Sequence, residues 1–229
     1  MTVKKIIVTG FTLYFVMVNI ASAQSEFAGA FTQFGLGYGV VSQNSSQTIV
    51  ASNGSTVLGS STLGSLNSVV GSLGLGHYWD VHPSWVLGIG ADFSPGASSW
   101  ASFTVNSTTG QPPAQGKTRF SNAMNFYWSP GYLLDADKLI YAKMGYARST
   151  ATASSDLLTK SGTLEGFSLG LGYKQTFNDN FYGFVEWKYV RFNPVTDSTT
   201  IPYAGTNLIV NATGQPFGND IILGLGYRF

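Results

Sequence analysis

Large apolar side chains recur at every second position in eight segments of the chain. These segments are 34–40, 69–79, 85–93, 120–128, 140–146, 167–173, 185–189 and 221–229. Residues that alternate with them are mostly glycine, serine, alanine or charged. A period of two is the period of a β-strand, because successive side chains point to opposite faces of a sheet. The pattern therefore predicts eight strands, with no helical pattern between them.

The segments that connect these strands alternate between short and long. The short links are 80–84, 134–138 and 178–180, whereas the long segments, rich in Ser, Thr, Asn and Gly, are 42–64, 95–116, 150–162 and 194–217. Short turns at one end, long loops at the other and an even number of strands are typical of outer-membrane barrels. We therefore predict an all-β, eight-stranded antiparallel up-and-down transmembrane β-barrel with short periplasmic turns and long extracellular loops.

The composition favours a barrel with its apolar side outward. Charged residues make up 10% of the chain, against roughly 25% in an ordinary soluble domain. The face of each strand opposite the apolar side chains, called here the small face, is rich in glycine, which weakens strands and provides little solubility on the outside of a soluble protein. The interior of an eight-stranded barrel is narrow, however, and favours such small residues. Lipid would then cover the apolar row, and closure of the barrel removes unpaired strand edges. The alternative is a soluble, secreted β-sandwich with the apolar row inside.

Charge and cysteine content exclude several classes of function. The formal net charge is +1, which argues against nucleic-acid binding, since that requires clustered basic residues. The chain contains no cysteine, so disulfide scaffolds, thiol catalysis and cysteine zinc sites are excluded. Aromatic residues reach 14%, and this argues against disorder.

The first residues have the features of a secretory signal peptide. Lys4 and Lys5 precede the mostly apolar segment 6–20, and Ala21-Ser22-Ala23 follows as a cleavage motif. The alternative is a membrane anchor, but this segment is shorter than the roughly 20 residues that span a bilayer. We expect a signal peptide at 1–23 and a single barrel domain at 24–229.

Alternation also predicts which polar and aromatic residues have special positions. Charged residues on the small face should point into the lumen and form a paired network, because unpaired buried charges are costly; they are Asp92, Arg119, Lys143, Lys174, Glu186, Lys188 and Arg228. Aromatic residues near strand ends are expected at the membrane interfaces, as in aromatic girdles; they are Tyr38, Trp79, Trp85, Trp128 and Trp187. A bulge would reverse the alternation locally. The predicted network of charged side chains either closes the lumen as a structural plug or lines a narrow path for anions.

The sequence offers little that resembles an enzyme site. His82 and Ser84 have the spacing of the His-x-Ser pair of lipid A deacylases, in which histidine would deprotonate serine. They lie in a predicted periplasmic turn beside Pro83, however, whereas the lipid substrate is in the outer leaflet. We therefore predict no catalytic residues, no metal site and no cofactor, and we keep a lipid-modifying enzyme as a minor alternative.

Two segments resemble a known family. The segment 166–192 is similar to the penultimate hairpin of small bacterial outer-membrane barrels, a group that includes OmpA-like transmembrane domains and opacity-type proteins. The segment 220–229 resembles their last strand, which ends in an aromatic residue. The resemblance implies that Tyr227 and Phe229 act as a signal to the barrel-assembly machinery. We expect no peptidoglycan-binding domain, so cell-wall anchoring is not carried over from OmpA-like proteins.

Taken together, these features predict a non-enzymatic, monomeric protein of a Gram-negative outer membrane. Its expected role is in membrane structure and in surface interaction, including adhesion, through its loops. Expected partners are the lipid bilayer, lipopolysaccharide, the assembly machinery and a host or phage ligand, but no nucleic acid. The main alternative is a small passive porin that conducts through the lumen.

Overall fold

The computed structural model describes residues 25–51, 56–59, 61–63, 66–98, 101–105, 114–155, 159–203 and 206–229. The predicted signal peptide at 1–23 lies outside these residues. The described part contains strands β1 (Gly29–Ala51), β2 (Thr56–Gly59), β3 (Ser61–Leu63), β4 (Leu66–His82), β5 (Trp85–Ala97), β6 (Ala101–Val105), β7 (Ala114–Asp135), β8 (Lys138–Ser155), β9 (Thr159–Thr176), β10 (Phe181–Phe192), β11 (Val195–Tyr203) and β12 (Thr206–Arg228). No helix in this part of the chain is long and apolar enough to cross a membrane.

Eight of the described strands form a closed ring. The order around the ring is β1, β4, β5, β7, β8, β9, β10 and β12, and the pairing of β12 with β1 closes it. Each neighbouring pair is antiparallel, and all eight predicted segments lie in these strands except for the last residue, Phe229, which follows β12. The predicted eight-stranded up-and-down barrel is therefore confirmed.

The strands continue far beyond the predicted segments at the long-loop end. The pairing of β1 with β12 runs from Phe31 to Ala51 on β1, whereas about 9–11 residues suffice for a tilted strand to cross a membrane. The short strands β2, β3, β6 and β11 pair within the same extension. The long segments 42–64, 95–116, 150–162 and 194–217 thus consist largely of paired strand in the parts that the structure describes. Thr-rich, alternating sequence is compatible with strand pairing, and hairpin pairing satisfies its backbone groups.

The burial of side chains follows the predicted orientation. The outer surface of the ring exposes large apolar residues, among them Phe34, Leu36, Leu73, Leu75, Phe126, Leu171, Leu223 and Leu225. The buried residues inside the ring form two apolar clusters, one towards the short turns around Tyr78, Tyr141 and Ile222, and one towards the long loops around Phe120 and Phe192. The apolar row thus faces away from the axis.

The alternation is reversed at one point in β7. The pairing of β7 with β8 is shifted between Ser121 and Met124, and Asn122 has a φ of 52°. An extra residue in a strand exchanges the faces on either side of it. Phe120 is consequently buried inside the barrel, although its segment predicted an outward position. Arg119, which lies between the buried Thr118 and Phe120, is placed on the outer face instead of in the lumen, so its assignment to the lumen network is wrong.

Candidate functional site in the barrel lumen

A buried lysine joins carboxylates from opposite walls of the barrel. The Nζ atom of Lys143, on β8, lies 2.9 Å from a carboxylate oxygen of Asp92 on β5 and 2.7 Å from one of Glu186 on β10. Strands β5 and β10 are separated by three strands on either side of the ring. All three side chains are almost completely buried. This ion triad therefore crosses the full width of the lumen.

Tyrosine hydroxyls complete the triad. The hydroxyl of Tyr141 donates a hydrogen bond to Glu186 at 2.8 Å, and that of Tyr127 donates to Asp92 at 3.4 Å. The Lys143 ammonium also lies 4.1 Å from the centre of the Tyr127 ring. A buried ion pair is favourable only where further hydrogen bonds satisfy its remaining polar atoms, and these tyrosines provide them.

A second layer of polar contacts lies on the long-loop side of the triad. Lys188 on β10 forms an ion pair with Asp220 of the neighbouring strand β12, at 2.9 Å. The Ser168 hydroxyl donates a hydrogen bond to the Asn125 side-chain oxygen at 2.6 Å. Charges of both signs are thus paired inside the barrel.

Lys174 occupies a different environment on the short-turn side of the triad. Its Nζ atom lies 4.1 Å from the centre of the Phe31 ring, 4.6 Å from that of Tyr182 and 4.9 Å from that of Tyr78. It also donates a hydrogen bond of 3.4 Å to the Tyr182 hydroxyl. Aromatic ring faces attract a desolvated ammonium, and they replace a carboxylate as the partner of this buried cation.

Each lumen tyrosine lies opposite a glycine of the neighbouring strand. The paired positions are Tyr78 with Gly88, Tyr127 with Gly90, Tyr141 with Gly172 and Tyr182 with Gly226. A Cβ atom added at any of these glycines would overlap the tyrosine ring. The lumen is therefore filled by large rings that lie over glycines, rather than by small residues alone.

The predicted lumen residues divide into three groups. The structure brings Asp92, Lys143, Glu186 and Lys188 together, and it buries Lys174 nearby. Arg228 lies at the short-turn end of the lumen, where it lines a small pocket with Lys174 and Tyr182. Its guanidinium donates to the backbone oxygens of Ala28 and Asp179 rather than to a carboxylate, so it is not part of the ion triad.

The sequence interpretation missed Asp220 and the four lumen tyrosines. The alternation itself contained the signal, since Tyr127, Tyr141 and Tyr182 lie an even number of residues from Asn125, Lys143 and Glu186, respectively.

The aromatic residues predicted at interfaces all lie on the outer side of the ring. Trp85 packs edge-on against Tyr132 beside a short turn, and Tyr38 is exposed towards the long-loop end. Trp79 stacks beside His77 at 4.5 Å, and the exposed Trp128 and Trp187 lie within the apolar surface. Their interfacial role stays a prediction.

The C-terminal strand ends in an aromatic cluster. The rings of Phe229 and Tyr227 meet edge-on at 5.0 Å, and Tyr227 meets Phe181 in the same way at 5.0 Å. Phe229 itself is 73% exposed. The cluster leaves the terminal ring accessible, and its role as an assembly signal stays a prediction.

The turn between β7 and β8 carries a small charged cluster outside the apolar surface. The backbone N–H of Ala136 and the ammonium of Lys138 both donate to Asp135 and hold the pKa of this carboxyl below its usual value, the N–H having the larger effect. Hydrogen bonds to Asp135 and Asp137 raise the pKa of Lys138. The groups are exposed, so their effect on stability is small.

A cavity of about 130 Å³ lies on the long-loop side of the ion triad. Asp92, Lys188 and Asp220 line its inner end, and apolar residues such as Val70, Phe120 and Val190 form much of its wall. No group of acidic or histidine side chains suited to a metal ion occurs in the described ranges.

The sequence matches the family profile of the outer membrane protein beta-barrel domain over residues 11–229. The chain belongs to this family. As an outer-membrane barrel it is located in the bacterial outer membrane and lies in the lipid bilayer, with its apolar outer surface towards lipid. The short turns are then periplasmic and the long strand extensions extracellular.

Solved structures of similar fold are also outer-membrane barrels. OprG from Pseudomonas aeruginosa is 15% identical, with 91% of this chain and 99% of OprG covered and a TM-score of 0.56. The outer membrane protease OmpT from Escherichia coli is 13% identical, with 91% and 99% covered and a TM-score of 0.50. Ail from Yersinia pestis, solved with the heparin analogue sucrose octasulfate, is 12% identical, with 88% and 99% covered and a TM-score of 0.43. Comparison with curated protein sequences gives no significant match.

Proposed function

We propose that the protein is a non-enzymatic outer-membrane barrel that contributes to membrane structure and presents an extracellular surface for interaction. The observation that supports this most directly is the ion triad of Lys143, Asp92 and Glu186, which joins opposite walls of the lumen. An ion that passes through the barrel would have to displace a buried, fully paired network, and breaking such a network is costly. The alternative function of a passive porin is therefore disfavoured.

The extracellular extension supports the interaction role. The β1–β12 pairing continues to Ala51, and Lys160 of β9 forms an ion pair with Asp197 of β11 across the extension. Paired strands form a rigid support, and rigid supports commonly position binding residues. We propose that this surface contacts host molecules, phage or neighbouring lipopolysaccharide.

The position of His82 and Ser84 supports a non-enzymatic role for this pair. His82 and Ser84 both lie at the turn between β4 and β5, where His82 is exposed and far from the extracellular extension. A lipid A hydrolysis assay tests this minor alternative. Activity that Ser84→Ala abolishes would overturn the non-enzymatic assignment.

Conductance in planar lipid bilayers tests the closed lumen. We expect no steady single-channel current for the wild-type protein, and current openings for the double variant Lys143→Ala/Glu186→Ala, in which the triad is removed. The matched control is Lys160→Ala/Asp197→Ala, which removes an exposed ion pair and should stay closed. Steady current through the wild-type protein would favour the porin alternative.

Deletion of residues 199–210 tests the surface role, because the pair Ser198 and Asn211 can then be joined by a new short turn. We expect the barrel to fold, as judged by its heat-dependent mobility on SDS gels, and attachment of bacteria to cultured epithelial cells to fall. Unchanged attachment would contradict adhesion through this hairpin.

A further inference from the structure

One seam of the barrel wall, between β4 and β5, is unpaired over a stretch on the extracellular side, beyond which β3 pairs with β6. The pairing of β4 with β5 stops at Leu73 and Phe93. Above this point β4 continues to Leu66 and pairs with β1, whereas β5 continues to Ala97 and pairs with β7. Within the described residues, the facing edges of these two segments are therefore not joined by backbone hydrogen bonds.

The residues on both sides of this seam favour separation of the strands. Pro95 has no backbone N–H with which to pair across the seam, and Gly96 has a φ of 99°. Gly71 is paired with the outward-facing Leu36, so that a Cβ atom added there would point away from the lumen, and no heavy atom lies within 4 Å of such an atom at Gly71 or Gly96. A larger side chain therefore has room at either edge of the seam.

The cavity above the ion triad reaches this seam. Ser68 to Gly71 of β4 and Ser94 to Gly96 of β5 line it, together with Asp92 and Lys188 deeper in the lumen. Val69, whose side chain faces outward and is 78% exposed, is also one of the lining residues. The cavity is thus bounded by residues of both edges of the seam, on the stretch where the wall has no backbone pairing.

The walls of the cavity define what it can accept. They are mostly apolar, and the charged groups at its inner end are already paired, Asp92 with Lys143 and Lys188 with Asp220. A charged ligand would have no unpaired partner at the inner end, and the remaining charged residue of the lining, Arg148, is exposed. An apolar cavity of about 150 Å³ accepts a molecule of the size of benzene, which is close to the volume of about 130 Å³ found in the lumen.

We propose that this cavity is a binding site for a small, uncharged, mainly apolar molecule that enters sideways from the outer leaflet through the seam between β4 and β5. The closed ion triad below keeps the molecule from reaching the periplasm. The size of the cavity favours a free solute of the membrane over a lipid chain, which is much longer. This inference goes beyond the proposed structural and surface role and does not depend on it.

Cysteine labelling tests the route, since the natural chain contains no cysteine. Ala147 lies on the lumen side and lines the cavity, so Ala147→Cys reports access to it. The protein is reconstituted in phosphatidylcholine vesicles and labelled either with the apolar reagent N-phenylmaleimide or with a membrane-impermeant sulfonated methanethiosulfonate. Each rate is normalised to that of the protein unfolded in SDS.

Obstruction of the seam should affect the two reagents differently. Gly71→Phe places a ring in the open space at the seam, and we expect it to slow labelling by N-phenylmaleimide at least tenfold while the sulfonated reagent, which arrives from water, changes less than twofold. Val69→Trp places a ring at the same seam and serves if Gly71→Phe does not fold; it should likewise slow labelling by N-phenylmaleimide but not by the sulfonated reagent. Leu223→Phe, on the fully paired strand β12, is the matched control and should leave both rates unchanged. Equal slowing of both reagents, or no slowing of either, would overturn the sideways route.

Competition separates the binding site from the route. Benzene at saturation should slow N-phenylmaleimide labelling of Ala147→Cys at least fivefold and should have no effect on a cysteine at Leu223, which faces lipid. Dodecane distinguishes a long chain from a small solute and should compete at least fivefold less well. A lack of competition by benzene, or stronger competition by dodecane, would refute a site for small apolar molecules.

Discussion

The ring of Tyr78 lies directly over Gly88 of the neighbouring strand, so that a Cβ atom added at this glycine would be 2.6 Å from the ring. The Tyr78 hydroxyl shares a hydrogen bond of 2.7 Å with the Ser129 hydroxyl, and the Tyr78 ring lies near the Lys174 ammonium. The glycine therefore gives the tyrosine the room that it needs to reach both partners across the lumen.

Substitution of this glycine should destabilise the barrel through the tyrosine. Gly88→Ala forces the Tyr78 ring aside, and overpacking of this kind costs about 1–3 kcal/mol. In a Tyr78→Leu background the same substitution should cost less, with a coupling of at least about 0.5 kcal/mol. Urea unfolding in lipid vesicles, followed by tryptophan fluorescence, measures both. Gly162→Ala, at a glycine with no neighbour within 4 Å, is the control; equal losses at both glycines would contradict the pairing.

The buried lysines Lys143 and Lys174 should lose different amounts of stability on the same substitution. Lys143→Met leaves Asp92 and Glu186 as uncompensated buried carboxylates, and breaking a buried ion pair in this way costs about 3–5 kcal/mol. Lys174→Met should cost less than about 1.5 kcal/mol, because methionine keeps the volume and contacts the surrounding rings favourably. Unfolding free energies under the same conditions decide this, and a larger loss at Lys174 would show that its charge is the more important one.

The terminal aromatic residue should affect assembly more than stability. Phe229→Ala removes a ring that is exposed and contacts Tyr227. We expect the folded, heat-modifiable fraction in cells to fall severalfold, while refolding from urea into vesicles without the assembly machinery stays unchanged. Leu134→Ala, another exposed apolar residue beside a periplasmic turn, serves as the control. A normal folded yield in cells would remove Phe229 from consideration as a signal.

The carboxyl of Asp135 should titrate below its usual range even without its lysine partner. The Ala136 N–H has the larger lowering effect on its pKa, so Lys138→Gln should raise this pKa only part of the way back. Because the folded pKa is lowered, the small stabilisation is present above the unfolded pKa and is lost as the pH falls through the folded pKa. NMR titration in detergent micelles measures the shift. Complete return to the ordinary value would show that the lysine alone is responsible.

Much of the ion network was accessible from alternation along the strands. Lys143, Glu186 and Asp92 all lie on the row opposite the large apolar residues. Because one face of each strand contacts lipid, its charged side chains can lie only on the other face, inside the barrel. Their partnership was not accessible in the same way, because Asp92 and Glu186 come from opposite walls and meet Lys143 only when the ring closes. In the structure one cation, Lys143, is shared by the two carboxylates, and the second buried ion pair, Lys188 with Asp220, is separate from it.

Where the alternation failed, a local backbone feature was responsible. The bulge at Asn122 moves Phe120 into the barrel and Arg119 out of it, and nothing in the composition of this segment distinguishes a bulge from a regular strand. Arg228 has the inward parity but lies at the short-turn end of the lumen, away from the ion triad, because position along the axis depends on strand tilt and register rather than on parity.

The amino-acid sequence by itself determined the strand number, the apolar outer surface and the presence of charges inside, since these follow from a period of two and from the cost of exposing polar groups to hydrocarbon. Only the tertiary structure decided which charges pair, which tyrosines cover which glycines and where the seam between β4 and β5 opens. Those features depend on register between strands distant in the chain, and register is determined by closure of the ring as a whole.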